Sequence, residues 1–129
     1  MSTIQIDGLT GAIDEIMEDL KREANRANEE TVNEISKESL KIVKANAPMS
    51  NTKRRGTYKK SLARKKTGGR SGEVGYRIYS KDQYQLTHLL EHGHQLRSGG
   101  RTRAFPHFKL GEDYAKEKIE AEFQKNFKP

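Results

Sequence analysis

The stretch Tyr84–Phe108, YQLTHLLEHGHQLRSGGRTRAFPHF, governs how the rest of the chain is read. It carries all four histidines, three of the eleven glycines and one of the three prolines. Tyr84, Leu86, Leu89 and Leu90 are spaced to give a short helix over about 83–92 an apolar side. Gly93 is placed to stop that helix, because glycine takes a positive-φ backbone with no Cβ clash. A loop from Gln95 to Ala104 follows, with Gly99-Gly100 near its middle and Arg97, Arg101 and Arg103 around them. Phe105-Pro106-His107-Phe108 then returns the chain to apolar surroundings before a last helix over about 111–126.

Upstream, from about Thr10 to Ala45, apolar and small residues recur at three- and four-residue steps: Ile13, Ile16, Met17, Leu20, Ala24, Ala27, Thr31, Ile35, Ser39 and Ile42. This predicts one long amphipathic helix with an acidic start, ended before Pro48 because Ala47 is steered away from helical geometry. At ~1.5 Å per residue it would run roughly 50 Å, more than a domain this small can cover along its length. A bend is expected near Asn25–Asn28, where the apolar stripe thins. Between the helices, Glu73–Ser80 alternates as a strand does, with Val74, Tyr76, Ile78 and Ser80 on one face and Gly75, Arg77 and Tyr79 on the other. Paired with 58–66 across a glycine-rich turn, it predicts an antiparallel hairpin. The expected fold is α+β: a long N-terminal helix, a small antiparallel sheet (58–66 and 73–80), the short helix and the C-terminal helix, all in one domain spanning 1–129.

Charge is distributed unevenly: residues 1–38 carry a net −6, residues 39–72 a net +11 with no acid, and residues 73–129 a net +2. The middle third reads as a basic, flexible arm at about 49–72, with Lys53, Arg54, Arg55, Lys59, Lys60, Arg64, Lys65, Lys66 and Arg70 around one aromatic, Tyr58. Such an arm binds phosphate non-specifically and loses affinity with salt, so a nucleic-acid-binding accessory protein is one reading. It can equally dock the acidic helix of another copy. Apolar residues are only 32%, against a usual ~45–50%, which suits a subunit whose burial is completed by neighbours. No cysteine is present, so disulfides and thiolate metal sites are excluded. No basic-then-apolar leader opens the chain and no apolar run nears the ~18–20 residues of a membrane span, so a protein made in the cytoplasm without a membrane partner is expected.

His88-Leu89-Leu90-Glu91-His92 fits the H-x-x-E-H spacing of one class of zinc hydrolases, with two imidazoles on one helical face and a glutamate beside the metal-bound water. Gly93 would end the helix where the second ligand must be held, and a third ligand would have to come from the last helix, where Glu112, Glu117, Glu120 and Glu122 read as solvated positions. Structural metal binding through His88, His92, His94 or His107 is a further variant. The simpler expectation is that one histidine of the motif packs and the other closes the helix end. There is no cysteine nucleophile, no Gly-x-Ser-x-Gly turn and no phosphate-binding loop, so neither an enzyme nor a cofactor is expected.

Taken together, the long first helix, the strand Val74-Gly75-Tyr76-Arg77-Ile78-Tyr79, the run Leu86-Thr87-His88-Leu89-Leu90-Glu91-His92-Gly93 and the return Phe105-Pro106-His107-Phe108 resemble a phage family. It is the tail-completion or neck family of siphophages, also described as head–tail joining or minor tail proteins. Glu91-His92-Gly93-His94 and Gly99-Gly100-Arg101 look like its branch from phages of Gram-positive hosts. The resemblance spans roughly residues 10–125. It implies a virion protein at the neck or tail end, forming a homo-oligomeric ring between the portal side and the tail tube. A hexamer is favoured by the six-fold symmetry of such tubes, and a dodecamer is second. Adjacent connector or stopper proteins and tail-terminator or tail-tube proteins would be its neighbours, with non-specific contact to the genome. By the same resemblance Glu91 would anchor the loop after Gly93 and Pro106 would set where the last helix begins. Together with Glu91 and Pro106, the residues His92, His94, Arg97, Arg101, Arg103 and Phe105 would meet a neighbouring subunit or ring.

Overall fold

The computed structural model describes residues 6–49, 56–68 and 74–129. The order of elements is α1 (Ile6–Asn46), α2 (Thr57–Ser61), β1 (Leu62–Gly68), β2 (Val74–Ser80), α3 (Tyr84–His92) and α4 (Phe108–Asn126). The fold is α+β, as the sequence periods require. α1 runs unbroken for 41 residues, through Asn25–Asn28, so the thinned stripe there does not interrupt it. Its length is about 60 Å.

The sheet is a two-stranded antiparallel hairpin with Leu62 opposite Ser80, Arg64 opposite Ile78 and Gly68 opposite Val74. Val74 and Ser80 are buried, and Arg64 on the same face donates to Asn33 Oδ1 (2.7 Å) and Ser36 Oγ (3.0 Å) of α1. That face therefore covers the middle of α1. The first strand begins later than the expected 58–66, because residues 58–61 belong to the single turn α2. Tyr58, Ser61 and Leu62, three and four apart, are all buried, and only a helical turn directs that spacing to one side. Ser61 Oγ closes the turn on the Tyr58 carbonyl (2.5 Å) and meets Ser80 Oγ at 2.7 Å.

Every fourth residue of the second half of α1 is buried: Ala27, Thr31, Ile35, Ser39, Val43, then Ala47 just beyond. This row of small and medium side chains seats α4 closely. Ser39 Oγ donates to the Gly111 carbonyl (3.1 Å), and a Cβ on Gly111 would lie 2.6 Å from Val43 Cγ2. At the far end Asn126 Nδ2 donates to Thr31 Oγ1 (3.1 Å), and Arg26 donates to the Asn126 carbonyl (2.7 Å). Hydrogen bonds from Arg26 and from the Lys128 N–H hold the Glu23 carboxyl down to about 2. A small core of Val43, Ala47, Tyr58 and Leu62, with Leu40, Ile78, Leu90 and Phe108 packed on it, gathers at the other end of α1.

The first half of α1 has no such cover. Leu9, Ile13, Ile16, Met17 and Leu20 are 58, 51, 59, 61 and 39% exposed. α3 also differs from expectation, since none of its residues is buried and only Leu90 of its apolar set joins the core; Tyr84, Leu86 and Leu89 face outward. Among the described residues no helix is long and apolar enough to cross a membrane.

Candidate functional site

The histidine-rich stretch forms a built junction between α3 and α4. α4 starts at Phe108, three residues before the expected 111, on a segment with no Ser, Thr, Asp or Asn to cap it. The first N–H groups of a helix need acceptors. Glu91 supplies them from α3: its Oε1 accepts the N–H of His107 (3.0 Å) and Phe108 (2.9 Å), and its Oε2 accepts that of Lys109 (3.0 Å). A carboxylate at this end also meets the positive pole of the helix. Burial on its own raises the Glu91 carboxyl; the three backbone donors and the nearby His107 outweigh it and hold the group below the ordinary carboxylate range.

His107, fully buried, forms the floor of the junction. Its Nδ1 faces two acceptors, the Phe105 carbonyl at 2.7 Å and Glu91 Oε1 at 3.1 Å, so Nδ1 carries the proton. Nε2 lies 2.6 Å from the Tyr58 hydroxyl, which also reaches Thr87 Oγ1 at 3.0 Å. Burial raises the Tyr58 hydroxyl above its usual range, the Thr87 hydrogen bond works against this, and the Glu91 charge adds to the rise. The phenol therefore stays protonated as a donor at neutral pH. Among the described residues no buried side-chain nitrogen or oxygen lacks a partner, so the cluster is closed upon itself.

The loop after α3 is built with similar economy. Gly93 sits at φ 72, ψ 171, where a Cβ would lie 2.6 Å from the Thr102 carbonyl oxygen. His94 and Thr102 exchange backbone and hydroxyl bonds: the Thr102 N–H reaches the His94 carbonyl (2.8 Å) and the His94 N–H reaches Thr102 Oγ1 (2.8 Å). Gln95 and Arg101 bridge above a tip in which Gly99 and Gly100 both take positive φ. The Phe105 N–H donates to the Leu90 carbonyl (2.7 Å), which folds the loop back on α3.

The site residues read from sequence divide into three groups. Glu91 is committed to the junction. His92, Arg97, Arg101, Arg103, Phe105 and Pro106 are exposed, and His94 is half-buried; Arg101 approaches the Gly93 carbonyl (3.4 Å), and the Arg103 guanidinium lies over the Phe105 ring. In the basic segment, Arg64 is bound to α1 and stacks over Tyr76, while Lys66 pairs with Glu29 (2.5 Å). Lys59 is half-buried, and Lys60 and Lys65 are exposed; Lys53, Arg54, Arg55 and Arg70 lie outside the described residues. Sequence reasoning missed Tyr58, Thr87 and Thr102, and it offered His107 only as a possible metal ligand. No local signal marked them, since each acts through a partner elsewhere in the chain.

The H-x-x-E-H spacing does not make a metal centre here. Both Glu91 oxygens are taken by backbone N–H groups, and His88 and His92 are exposed, so neither histidine packs or caps as the simpler expectation held. Among the described residues no group of three or more His, Cys, Asp or Glu could hold a metal ion.

The fold thus presents a closed joint, an exposed loop and an uncovered half of α1. A family model described as "Bacteriophage HK97-gp10, putative tail-component" matches residues 11–93. The chain belongs to this HK97-gp10-like family of phage tail components, which places it in the virion. Searches of curated proteins and of solved structures return no match.

Proposed function

We propose that this tail component is a head–tail connector or tail-completion subunit, forming a ring at the neck between the portal side and the tail tube. The observation that carries this reading is the uncovered first half of α1, with five large apolar side chains in water on a chain whose own core is small. A subunit of this kind is completed by copies of itself, and a contact between two different patches closes into a ring when the rotation allows. Six copies match a six-fold tail tube, with twelve as the second count. Connector or stopper proteins on one side and tail-terminator or tail-tube proteins on the other are the partners. The exposed loop 94–105 supplies neighbour contacts, and the basic residues Lys59, Lys60 and Lys65, with Lys53, Arg54, Arg55 and Arg70, favour the side of the ring facing the genome. Action is by assembly, not catalysis. The rival reading, a free nucleic-acid-binding accessory protein, is weakened by Arg64, whose guanidinium is turned onto Asn33 and Ser36 of α1, and by Lys66, which is paired with Glu29.

The test is a phage lacking the gene, examined by electron microscopy. Filled heads and finished tails that fail to join are expected, with the protein located at the neck in wild-type virions. Normal joined particles, or tails of altered length with intact necks, would refute the neck position.

A further inference from the structure

Two exposed apolar surfaces lie at opposite ends of the molecule and carry opposite charge. The first is the seam Leu9, Ile13, Ile16, Met17 and Leu20 on α1. Asp14, Glu15, Glu18 and Asp19 flank it, against Lys21 and Arg22, and Arg22 is already paired with Asp19. The second is on α3 and the loop folded back upon it, where Leu86, Leu89, Leu96 and Phe105 are 37, 43, 39 and 37% exposed. Arg97, Arg101 and Arg103 flank this one; Glu91 is sunk in the α4 start, and Asp82 beside Leu86 and Glu112 beside His88 and His92 stand at its edges, so arginines outnumber accessible carboxylates three to two.

The two surfaces cannot meet within one chain. Leu90 and Phe108 pack against Val43 and Ala47, so the α3 surface sits at the C-terminal end of α1. The seam ends at Leu20, 23 residues before Val43, or about 35 Å away along a rigid helix. α4 ends against Arg26 and Thr31 and leaves the seam uncovered. The spacing of Leu9, Ile13, Ile16 and Leu20 is that of a helix packing on another helix, and α3 offers an exposed apolar side of matching kind.

We infer that the acidic, apolar N-terminal half of α1 in one copy docks on the basic, apolar surface of α3 and the 94–105 loop in the next copy. This deepens the ring reading and rests on it. The contact is head-to-tail: each copy gives a seam and receives one, so no surface is left over once a ring closes. Like surfaces do not self-pair, because seam on seam sets acids against acids and loop on loop sets arginines against arginines.

The chain has no cysteine, so engineered thiols report without background. In the full-length protein, Met17→Cys with Leu89→Cys is expected to give, on mild oxidation, a ladder of linked chains that collapses in reductant. Met17→Cys alone and Leu89→Cys alone are expected to stay unlinked. Ile13→Asp with Ile16→Asp should convert the assembled mass to that of one chain at unchanged helical content, since both side chains are exposed before docking. If Met17→Cys alone links as well as the double variant, the seam pairs with itself and the inference is overturned. If the native chain assembles while the double variant stays unlinked and the aspartates leave its mass unchanged, the inference fails and the ring reading stands. If the native chain stays a single copy and the seam is covered only when another phage protein is added, a different partner is the occupant and the inference is again overturned; whether the neck reading survives is then decided by the virion experiment.

Discussion

Glu91 and Gly93 lie two residues apart and hold the α3–α4 joint by different means. The Glu91 carboxylate accepts three backbone N–H bonds at the start of α4. Glu91→Gln leaves one oxygen for two of those donors and removes the charge, so a loss of about 1–2 kcal/mol in urea unfolding at pH 7 is expected, and about 2–3 for Glu91→Ala. The pH dependence follows from the lowered carboxyl. A group whose folded value lies below its unfolded value contributes fully above the unfolded value of about 4.3 and loses its contribution as pH falls through the folded one. The gap between wild type and Glu91→Gln should therefore be constant from pH 8 to pH 5 and shrink on further acidification. A gap that grows in acid would contradict the cap. Gly93→Ala faces a different obstacle, with φ 72 and a Thr102 oxygen 2.6 Å from the new Cβ. That backbone region is nearly glycine-only, and a cost of about 2–4 kcal/mol is expected, read as a fall in melting temperature.

At the scale of elements, α1 and α4 touch through the gap that Gly111 leaves. Alanine usually gains about 1 kcal/mol over glycine inside a helix. At Gly111 the added methyl would meet Val43 Cγ2 at 2.6 Å and the Ser39 carbonyl at 3.1 Å, and overpacking of about 1–3 kcal/mol outweighs the helical gain. Gly11, also helical, has nothing within 4 Å of a new Cβ. Gly11→Ala should thus raise the melting temperature while Gly111→Ala lowers it; equal signs would show that α4 does not sit on α1 as described. These elements also show what sequence can reveal. α1 was legible because its period repeats over many turns, and β2 because its alternation runs from Val74 to Ser80. α2 was not, since one turn carrying Lys59-Lys60 fits either period. The start of α4 was hidden because its cap is contributed from Glu91, 16 residues before His107, and local signals carry no trace of a partner so far away. Tyr58 and Thr87 were invisible for the same reason: the Tyr58 hydroxyl reaches both Thr87 and His107 only once three elements are assembled.

For the whole molecule, the proposed head-to-tail contact makes separate predictions for charge and for apolar area. A folded state that gains stability from association unfolds at a temperature that depends on concentration. Each tenfold rise in protein adds up to about 1.4 kcal/mol, or roughly 3–5 °C for a domain near 130 residues. The native chain should show this rise, and Ile13→Asp with Ile16→Asp should abolish it, giving one melting temperature at all concentrations. Salt then separates the two forces. Raising it from 0.1 M to 1 M shortens the screening length from about 10 Å to about 3 Å, enough to silence the attraction between Asp14, Glu15, Glu18 and the loop arginines across a wet rim. Burial of Ile13, Ile16 and Met17 is not screened by salt. If the proposed contact forms, the concentration dependence should therefore persist at 1 M salt with a lower association constant, with apolar burial setting the affinity and the charges setting the pairing of unlike ends. Complete loss of the dependence at 1 M would reassign the affinity to the acidic and basic thirds of the chain and leave the exposed seam of α1 without a role in holding copies together.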